Sequence, residues 1–469
     1  MKILLTGASG YIGRRLKTRF LENENIDLRV LVRNAKSIKS KKIEVIEGNV
    51  LDREALKRAL NGIEVAYYLI HSLQSKNFKD LDRESAQNFL EVAKSCGVKK
   101  IIYLGGLGVK EEASLHLLSR IETGEILSSD DEVKTIWFRA GVIIGSGSAS
   151  FEIIRNLVEK LPVMITPKWV DTDAEPIGVD DVIEYLYEAK DLEVEKSKVI
   201  DIGSGVLKYR DIMLKCAKVL NLKRYILKTP ILSINLSSHW LNLFTPVPIN
   251  VSKALIEGLS SPVVKQNKNA KKFFPKIEPK SFEESVKKAL VEIEENQVIS
   301  RWSDSSDVWE RNHKKDISNA IYLDRKIESI KGIDREKVYK SFTSIGGKNG
   351  WFDFDFLWEI RGIIDKVLGG VGLKRGRRSE CDLRTGDCLD FWRVVEVNEN
   401  RMLLFAQMKT PGKAWLEFKI EDDKLIQSAY FYPKGIWGRI YWHILTPLHF
   451  FVFRNLIKNI IKKAKELKD

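Results

Sequence analysis

Gly7, Gly10 and Gly13 stand in the run Thr6-Gly7-Ala8-Ser9-Gly10-Tyr11-Ile12-Gly13, directly after the apolar segment Lys2–Leu5. A strand, a glycine turn and a helix in that order form a cradle for a diphosphate. Gly7 permits the tight turn, Gly10 lets backbone approach a pyrophosphate, and Gly13 lets helix and strand pack closely. The helix end behind them, from Tyr11 and Ile12, offers unpaired N–H groups and a positive dipole end to phosphate. A glycine triplet is weak alone. The strand–turn–helix context around it points to a dinucleotide site.

The second strand-like run, Leu28–Val32, ends in Arg33, and no Asp or Glu follows until Glu44. An NAD site places a carboxylate here for the ribose 2′-hydroxyl. A guanidinium instead suits a 2′-phosphate through charge-assisted, often bidentate hydrogen bonds. The cofactor expected from these residues is NADP(H), with Arg33 as an unliganded surface residue the alternative.

The elements that must position this cradle alternate between β-rich and helical runs up to about residue 190. The strands are read at Lys2–Leu5, Leu28–Val32, Ile43–Ile46, Val65–Ile70, Lys100–Leu104 and Thr135–Arg139. Helical stretches lie between them at Arg14–Leu21, Arg53–Leu60 and Arg83–Cys96. That alternation predicts an α/β domain, a Rossmann-type doubly wound parallel sheet. It extends over residues 1–295, with a further strand at Val199–Gly203 and helices at Tyr209–Leu220 and Phe282–Glu295. The polar, unperiodic stretch around Ser300–Lys315 places a linker at 296–325.

From 326 to 469 the pattern changes. Phe391–Val397, Arg401–Met408, Ala414–Ile420 and Leu425–Tyr432 are successive β-like runs with short turn-rich gaps, the spacing of an antiparallel meander. After Pro433-Lys434-Gly435 the chain reads as helix. Phe453, Leu456, Ile457, Ile460, Ile461, Ala464 and Leu467 form an apolar stripe at three- and four-residue spacing. An α+β domain, an antiparallel sheet against one long C-terminal helix, is the economical reading.

Composition bounds the rest. The chain has 469 residues, 44% hydrophobic and 30% charged, a globular balance sufficient for two or three domains with their own cores. The four cysteines show no Cys-x-x-Cys spacing, which argues against a zinc ribbon or a secreted disulfide scaffold and leaves no metal site to propose. A net charge of +14 favours anionic partners, or is an ordinary lysine-rich surface. No secretory segment is read at the amino end, and the richest apolar window, Ile440–Phe453, is too short to span a bilayer. A cytoplasmic protein is expected. The basic residues are scattered without stacking platforms, so nucleic acid is not an expected partner. Arg454, Lys458, Lys462, Lys463 and Lys465 leave open contact with an anionic membrane surface, with simple solvation the favoured alternative. Oligomeric state is not legible.

Residues 1–295 resemble the atypical or extended short-chain dehydrogenase/reductases of the NmrA-like and epimerase-like branch. The resemblance rests on TGASGYIG, Gly48-Asn49-Val50-Leu51-Asp52, Tyr68-Leu69-Ile70-His71-Ser72, Tyr103-Leu104-Gly105-Gly106-Leu107-Gly108 and Arg139-Ala140-Gly141 with Ile144-Gly145. It implies that Asn49 and Val50 frame the adenine and that Leu69 to Ser72, including His71, line the nicotinamide side. Reductases of this group carry a Ser and a Tyr-x-x-x-Lys. Here the corresponding segment places His116 at the Tyr position and Arg120 at the Lys position, with Gly105-Gly106 in the Ser region. Both side chains share one helix face. His116 acts as acid or base, or only packs; Arg120 binds hydroxyls or phosphate but does not shuttle protons.

The C-terminal region resembles the domain of unknown function that often trails these reductases, and its layout is similar to the START-like helix-grip fold, which implies an apolar ligand. Trp169, Trp240, Leu241, Leu243, Phe244 and Pro246 suggest a hydrophobic small molecule, or ordinary core. The function expected is an NADP(H)-dependent oxidoreductase on a small or lipophilic carbonyl or quinone-like substrate. The alternative is a non-catalytic NADP(H)-binding redox sensor or interaction scaffold.

Overall fold

The computed structural model describes residues 1–467 except 36, 37, 39, 41, 73–76, 230–260, 296, 301–319, 353, 368, 369, 371, 373–376, 380 and 381. Trp240, Leu241, Leu243, Phe244, Pro246, Cys381 and most of the expected linker therefore lie outside the described residues, as does the Trp169 side chain. The chain divides into two compact units at about residue 307.

The first unit is built on a seven-stranded, all-parallel sheet in the order β3-β2-β1-β4-β5-β6-β7. Its strands are β1 (Lys2–Thr6), β2 (Asp27–Val32), β3 (Glu44–Glu47), β4 (Val65–Tyr68), β5 (Lys100–Gly106), β6 (Lys134–Ala140) and β7 (Lys198–Ile202). Successive residues of β1 explain the two-sided winding. Ile3 and Leu5 pack with Leu16 and Phe20 of α1 (Tyr11–Leu21) and Val182 of α6 (Val179–Glu188). Leu4 faces the opposite core, with Leu56 of α2 (Arg53–Leu60), Phe89 of α3 (Phe78–Ser95) and Ile121 of α4 (Leu115–Leu127). Strands buried on both faces read as continuous apolar runs, which is why they are legible in the sequence. The order reverses beside β1 and places a crevice at the carboxyl ends of β1 and β4.

Electrostatic clamps fix the edges. Arg29 of β2 pairs with Glu44 at 2.8 Å and donates to the carbonyls of Ala59 and Asn61 at the end of α2. The helices α5 (Ala149–Lys160), α7 (Tyr209–Val219) and α8 (Phe282–Glu294) make a satellite core around Phe151, Ile212 and Val286. Beyond α8, Ser300 is fully buried and donates to the Tyr11 carbonyl at 2.8 Å. The segment read as a linker is thus in contact with the glycine motif at its start.

The second unit is a six-stranded antiparallel sheet: β8 (Tyr322–Ser329), β13 (Lys424–Pro433), β12 (Gly412–Glu421), β11 (Arg401–Ala406), β10 (Trp392–Asn398) and β9 (Cys388–Leu389), in that order across the sheet. The meander β10 to β13 matches the sequence reading. The edge strand β8 was not anticipated: its burial alternates between intermediate and exposed, so no buried apolar run marks it, and only pairing with β13 from Tyr322↔Phe431 to Ser329↔Lys424 defines it. Two helices, α9 (Arg335–Thr343) and α10 (Asp355–Val367), precede β9. The terminal helix α11 (Gly435–Glu466) lays Leu456, Ile457, Ile460 and Ala464 in one core with Phe418 and Leu404 of the sheet and Phe342 of α9. No helix among the described residues is long and apolar enough to cross a membrane.

Asp390 closes the turn between β9 and β10 with φ 54°. Its carboxylate accepts from Gly347 N at 3.1 Å and Trp351 Nε1 at 3.0 Å. Burial pushes this carboxyl up to about 6 in spite of those donors and Arg377. The folded state therefore keeps a proton that the unfolded chain releases between about pH 4 and 6, and stability falls as pH rises through that window. Asp390→Asn retains an acceptor, tolerates the left-handed backbone and cannot ionise. It is expected to stabilise the fold at pH 7 by about 1–3 kcal/mol and to have little effect near pH 4; denaturant titrations at the two pH values check this.

Candidate functional site

The glycine turn joins β1 to α1 with no side chain capping the helix. Gly7 has φ +68°, and a Cβ on it would lie 2.2 Å from the Leu69 carbonyl oxygen. Only glycine satisfies both the backbone angle and the approach. A Cβ on Gly13 would lie 2.1 Å from Gly7 O, so the third glycine is the contact by which α1 closes on the strand. Gly10 is extended at the helix start and donates from N to Gly7 O at 2.9 Å. Thr6 Oγ1 donates to Tyr67 O at 2.8 Å and accepts from Leu69 N at 3.3 Å, stitching β1 to the end of β4.

Two neighbours of the glycines have structural side chains. Arg14 is buried and donates from Nε to Ser9 O at 2.8 Å, bracing the turn from within. Tyr11 turns its hydroxyl inward, where it is buried without a partner among the described residues, close to Gly145 and with the Arg15 guanidinium 5.4 Å from its ring centre. Burial raises that hydroxyl's pKa far above the usual range. Tyr11 and Ile12 can therefore serve a dinucleotide through backbone N–H; both side chains pack toward the core. Arg15, nearly buried, holds Ser146 and Glu292 of α8, so the loop Gly145–Ser150 is knitted into the interior. Ser148 in that loop caps α5 by accepting from Phe151 N at 3.0 Å. This accounts for a small-residue loop without any ligand.

On the adenosine side, Arg33 stands half-exposed directly after β2. Glu47, exposed at the end of β3, accepts from Ala35 N at 2.9 Å and so brings a carboxylate to the same loop. Sequence spacing missed it because it arrives from the neighbouring strand. Asn49 is half-buried and its side chain accepts from Leu51 N at 3.3 Å, while Val50 is core, packed with Leu4 and Leu31.

On the opposite side the structure brings His116, Arg120 and His71 together. Ser114 caps α4, and His116 and Arg120 follow on successive turns. The His116 and His71 rings lie 6.5 Å apart edge-to-face, with Phe78 at 6.4 Å from His116. His116 Nδ1 and Arg120 Nε are both buried without a partner among the described residues. Arg120 donates from Nη2 to Leu104 O at 2.7 Å, which anchors its guanidinium at the end of β5. Burial, then Arg120 and His71, push the His116 pKa down to about 3, so the imidazole is neutral at working pH. Both atoms keep hydrogen-bonding capacity that the described fold does not use.

Asp82 of α3 was not singled out from the sequence. Its buried carboxylate accepts from Ser72 N at 2.8 Å and from Ser119 Oγ at 3.1 Å, tying the loop after β4 to α4. A lone Asp within a helical run carries no signal of such a role. The structure also explains the missing Ser region. A Cβ on Gly105 would lie 2.5 Å from Trp137 Nε1, and one on Gly106 would lie 2.7 Å from Leu117 Cδ1. Trp137 and Leu117 fill that space. Arg139 is structural as well: it forms a bidentate pair with the fully buried Asp201 at 2.6 and 2.8 Å, whose carboxylate also accepts from Gln266 N.

Comparison with known proteins agrees with this geometry. Residues 7–134 match a family model described as NAD(P)H-binding, and residues 317–456 match the model of a protein of unknown function, DUF2867. The chain is 27% identical over 110 residues to the uncharacterized protein y4nG of Sinorhizobium fredii, a match that spans 23% of this chain and 28% of that protein. Among solved structures it is similar in fold to a triphenylmethane reductase from Citrobacter sp., with TM-score 0.51 and 18% identity, over 62% of this chain and all of that one. A nucleoside-diphosphate-sugar epimerase from Staphylococcus aureus superposes with TM-score 0.50 and 15% identity, over 61% and 100% of the two chains. The first unit is thus a Rossmann-type fold whose residues 7–134 match an NAD(P)H-binding model, and residues 317–456, in the C-terminal part of the chain, match DUF2867.

Proposed function

We propose that this protein is an NADP(H)-dependent oxidoreductase acting on a small or lipophilic carbonyl or quinone-like substrate, with His116 and Arg120 as an oxyanion site. The observation that carries this reading is the pair of buried, unpartnered nitrogens, His116 Nδ1 and Arg120 Nε, on consecutive turns of α4 beside the His71 loop. The cofactor, when bound, supplies or accepts hydride. Gly7, Gly10 and Gly13, with the N–H groups of Tyr11 and Ile12, would hold its diphosphate, Arg33 the 2′-phosphate, Asn49 and Val50 the adenine side, and Leu69 with His71 the nicotinamide side.

The chain's own chemistry departs from a Tyr-Lys proton relay. Arg120 stays charged and gives up no proton. A neutral His116 is a far weaker acid than an imidazolium and orients or hydrogen-bonds the substrate oxygen. The two groups therefore stabilise negative charge as it develops, in a partly desolvated pocket where such contacts are strong. The proton then comes from solvent. Phe78 and the His71 ring stand edge-to-face to the His116 ring.

A non-catalytic NADP(H)-binding sensor is the second reading, favoured by Trp137 and Leu117 filling the place of the relay serine. The helix-grip reading of the C-terminal domain, and a lipophilic ligand within it, rest on layout alone and add nothing to the reaction.

Absorbance loss of NADPH across a panel of aldehydes, ketones and quinones separates the readings; intact cofactor binding without turnover on any of them overturns the first. Arg33→Asp should weaken NADPH by about 10–100-fold, the worth of a charge-assisted contact, and change NADH by no more than a few-fold; titration calorimetry checks it. Arg120→Met should cut kcat by about 100-fold or more, while His116→Gln retains more activity than His116→Phe. Because His116 does not ionise above about pH 4, kcat should show no step from it between pH 5 and 8. Asp82→Ala should raise KM and lower kcat together by about tenfold, since it frees the His71 loop from α4 without touching either orphaned nitrogen.

A further inference from the structure

Helix α11 has one exposed face with two characters. At 3.6 residues per turn, Ile436, Trp437, Ile440, Ile444, Leu448 and Phe451 fall on one stripe about 22 Å long. All six are exposed, Trp437 by 73% and Ile444 by 70%. Continued along the helix, the same face carries Arg454, Lys458, Lys462 and Lys465, also exposed. The opposite face holds Trp442, Val452, Phe453, Leu456 and Ile460 and is buried on the sheet, so the orientation of the helix is fixed by its own core contacts. Solvation explains the cations. It does not explain four turns of uncovered Ile, Trp and Phe.

A second helix of the same unit carries an exposed apolar stripe of its own. Phe356, Ile360, Ile363, Ile364 and Val367 of α10 are exposed on one stripe, Val367 by 76%. Arg361 of α10 reaches α11, where it donates to Tyr441 Oη and stands 5.9 Å from its ring. Exposed apolar stripes of this length mark an interaction site.

Charge selects the occupant. From Gly435 to Lys465 the helix carries Arg439, Arg454, Lys458, Lys462, Lys463 and Lys465, and its first carboxylate is Glu466. On α10 only Asp355 and Glu359 are exposed acids. A second copy of the chain would bring the same cations together, whereas an anionic bilayer meets them with opposite charge and admits Trp, Ile and Phe to its acyl boundary. We infer that the C-terminal domain docks on anionic lipid surfaces, with the first half of α11 and the exposed stripe of α10 entering the interface and the basic second half of α11 resting on headgroups. The docking is peripheral, since neither helix can span a bilayer.

Vesicle flotation of the full chain tests this with phosphatidylcholine alone and with phosphatidylcholine mixed with phosphatidylglycerol. The protein should float with the mixed vesicles at low salt, and less as salt rises. Arg454→Gln and Lys458→Gln should each weaken partitioning about fivefold. Trp437→Glu combined with Ile444→Glu should weaken it by about tenfold or more while circular dichroism and melting stay unchanged, because both side chains are exposed. Absence of binding to the anionic vesicles overturns the inference, as does binding that the Trp437/Ile444 variant leaves intact. A lipid-free dimer in sedimentation velocity that this variant dissolves would also overturn it, assigning the surface to a second copy.

Discussion

The site rests on a contact between bare backbones. Gly7, Gly13 and the Leu69 carbonyl meet where β1, α1 and the end of β4 converge, at distances that leave no room for a β-carbon. Because α1 closes on the strand there, its uncapped amino end faces the crevice at the sheet's switch point. Thr6 links the same two strands through its hydroxyl, and Arg14 braces the turn from below. A glycine at position 7 is thus a requirement of strand packing as much as of any phosphate.

From that point the polar groups sort by what they hold. Asp82 holds the loop after β4 to α4, Arg139 and Asp201 hold β6 to β7, and Arg15 with Glu292 holds α1 to α8. The two arginine–carboxylate pairs are buried charges paired and hydrogen-bonded, the condition under which a fold retains charge in its interior, and Asp82 is held by hydrogen bonds from Ser72 N and Ser119 Oγ. His116 Nδ1 and Arg120 Nε are buried without a partner among the described residues. The same chain that satisfies Arg139 by a bidentate carboxylate leaves Arg120 with one carbonyl at its Nη2 and an idle Nε.

The C-terminal domain shows the same division by burial. Half of α11 is an ordinary amphipathic helix, with Leu456, Ile457 and Ile460 on the sheet, and half keeps its apolar residues outside. Periodicity reads the first kind well, since one buried stripe leaves polar residues on the rest of the helix. It fails in the other half, where apolar residues occupy both the buried and the exposed face.

Much of the architecture was written in local patterns. Strands buried on both faces must be apolar throughout, so β1, β2, β4 and β5 were legible within a residue or two, and the glycine spacing located the cradle. The meander and the buried half of α11 were legible for the same reason of period. Tertiary structure alone decided the rest. Edge strand β8 has no buried run to announce it and exists by pairing with β13. The Tyr11 side chain proved to point inward and Arg139 to be bound to Asp201, because side-chain direction depends on what the third dimension places nearby. Asp82, Glu47 and Glu292 act across 10 to 277 residues of separation, a distance over which sequence spacing carries no information and only the packed fold brings charge to its partner.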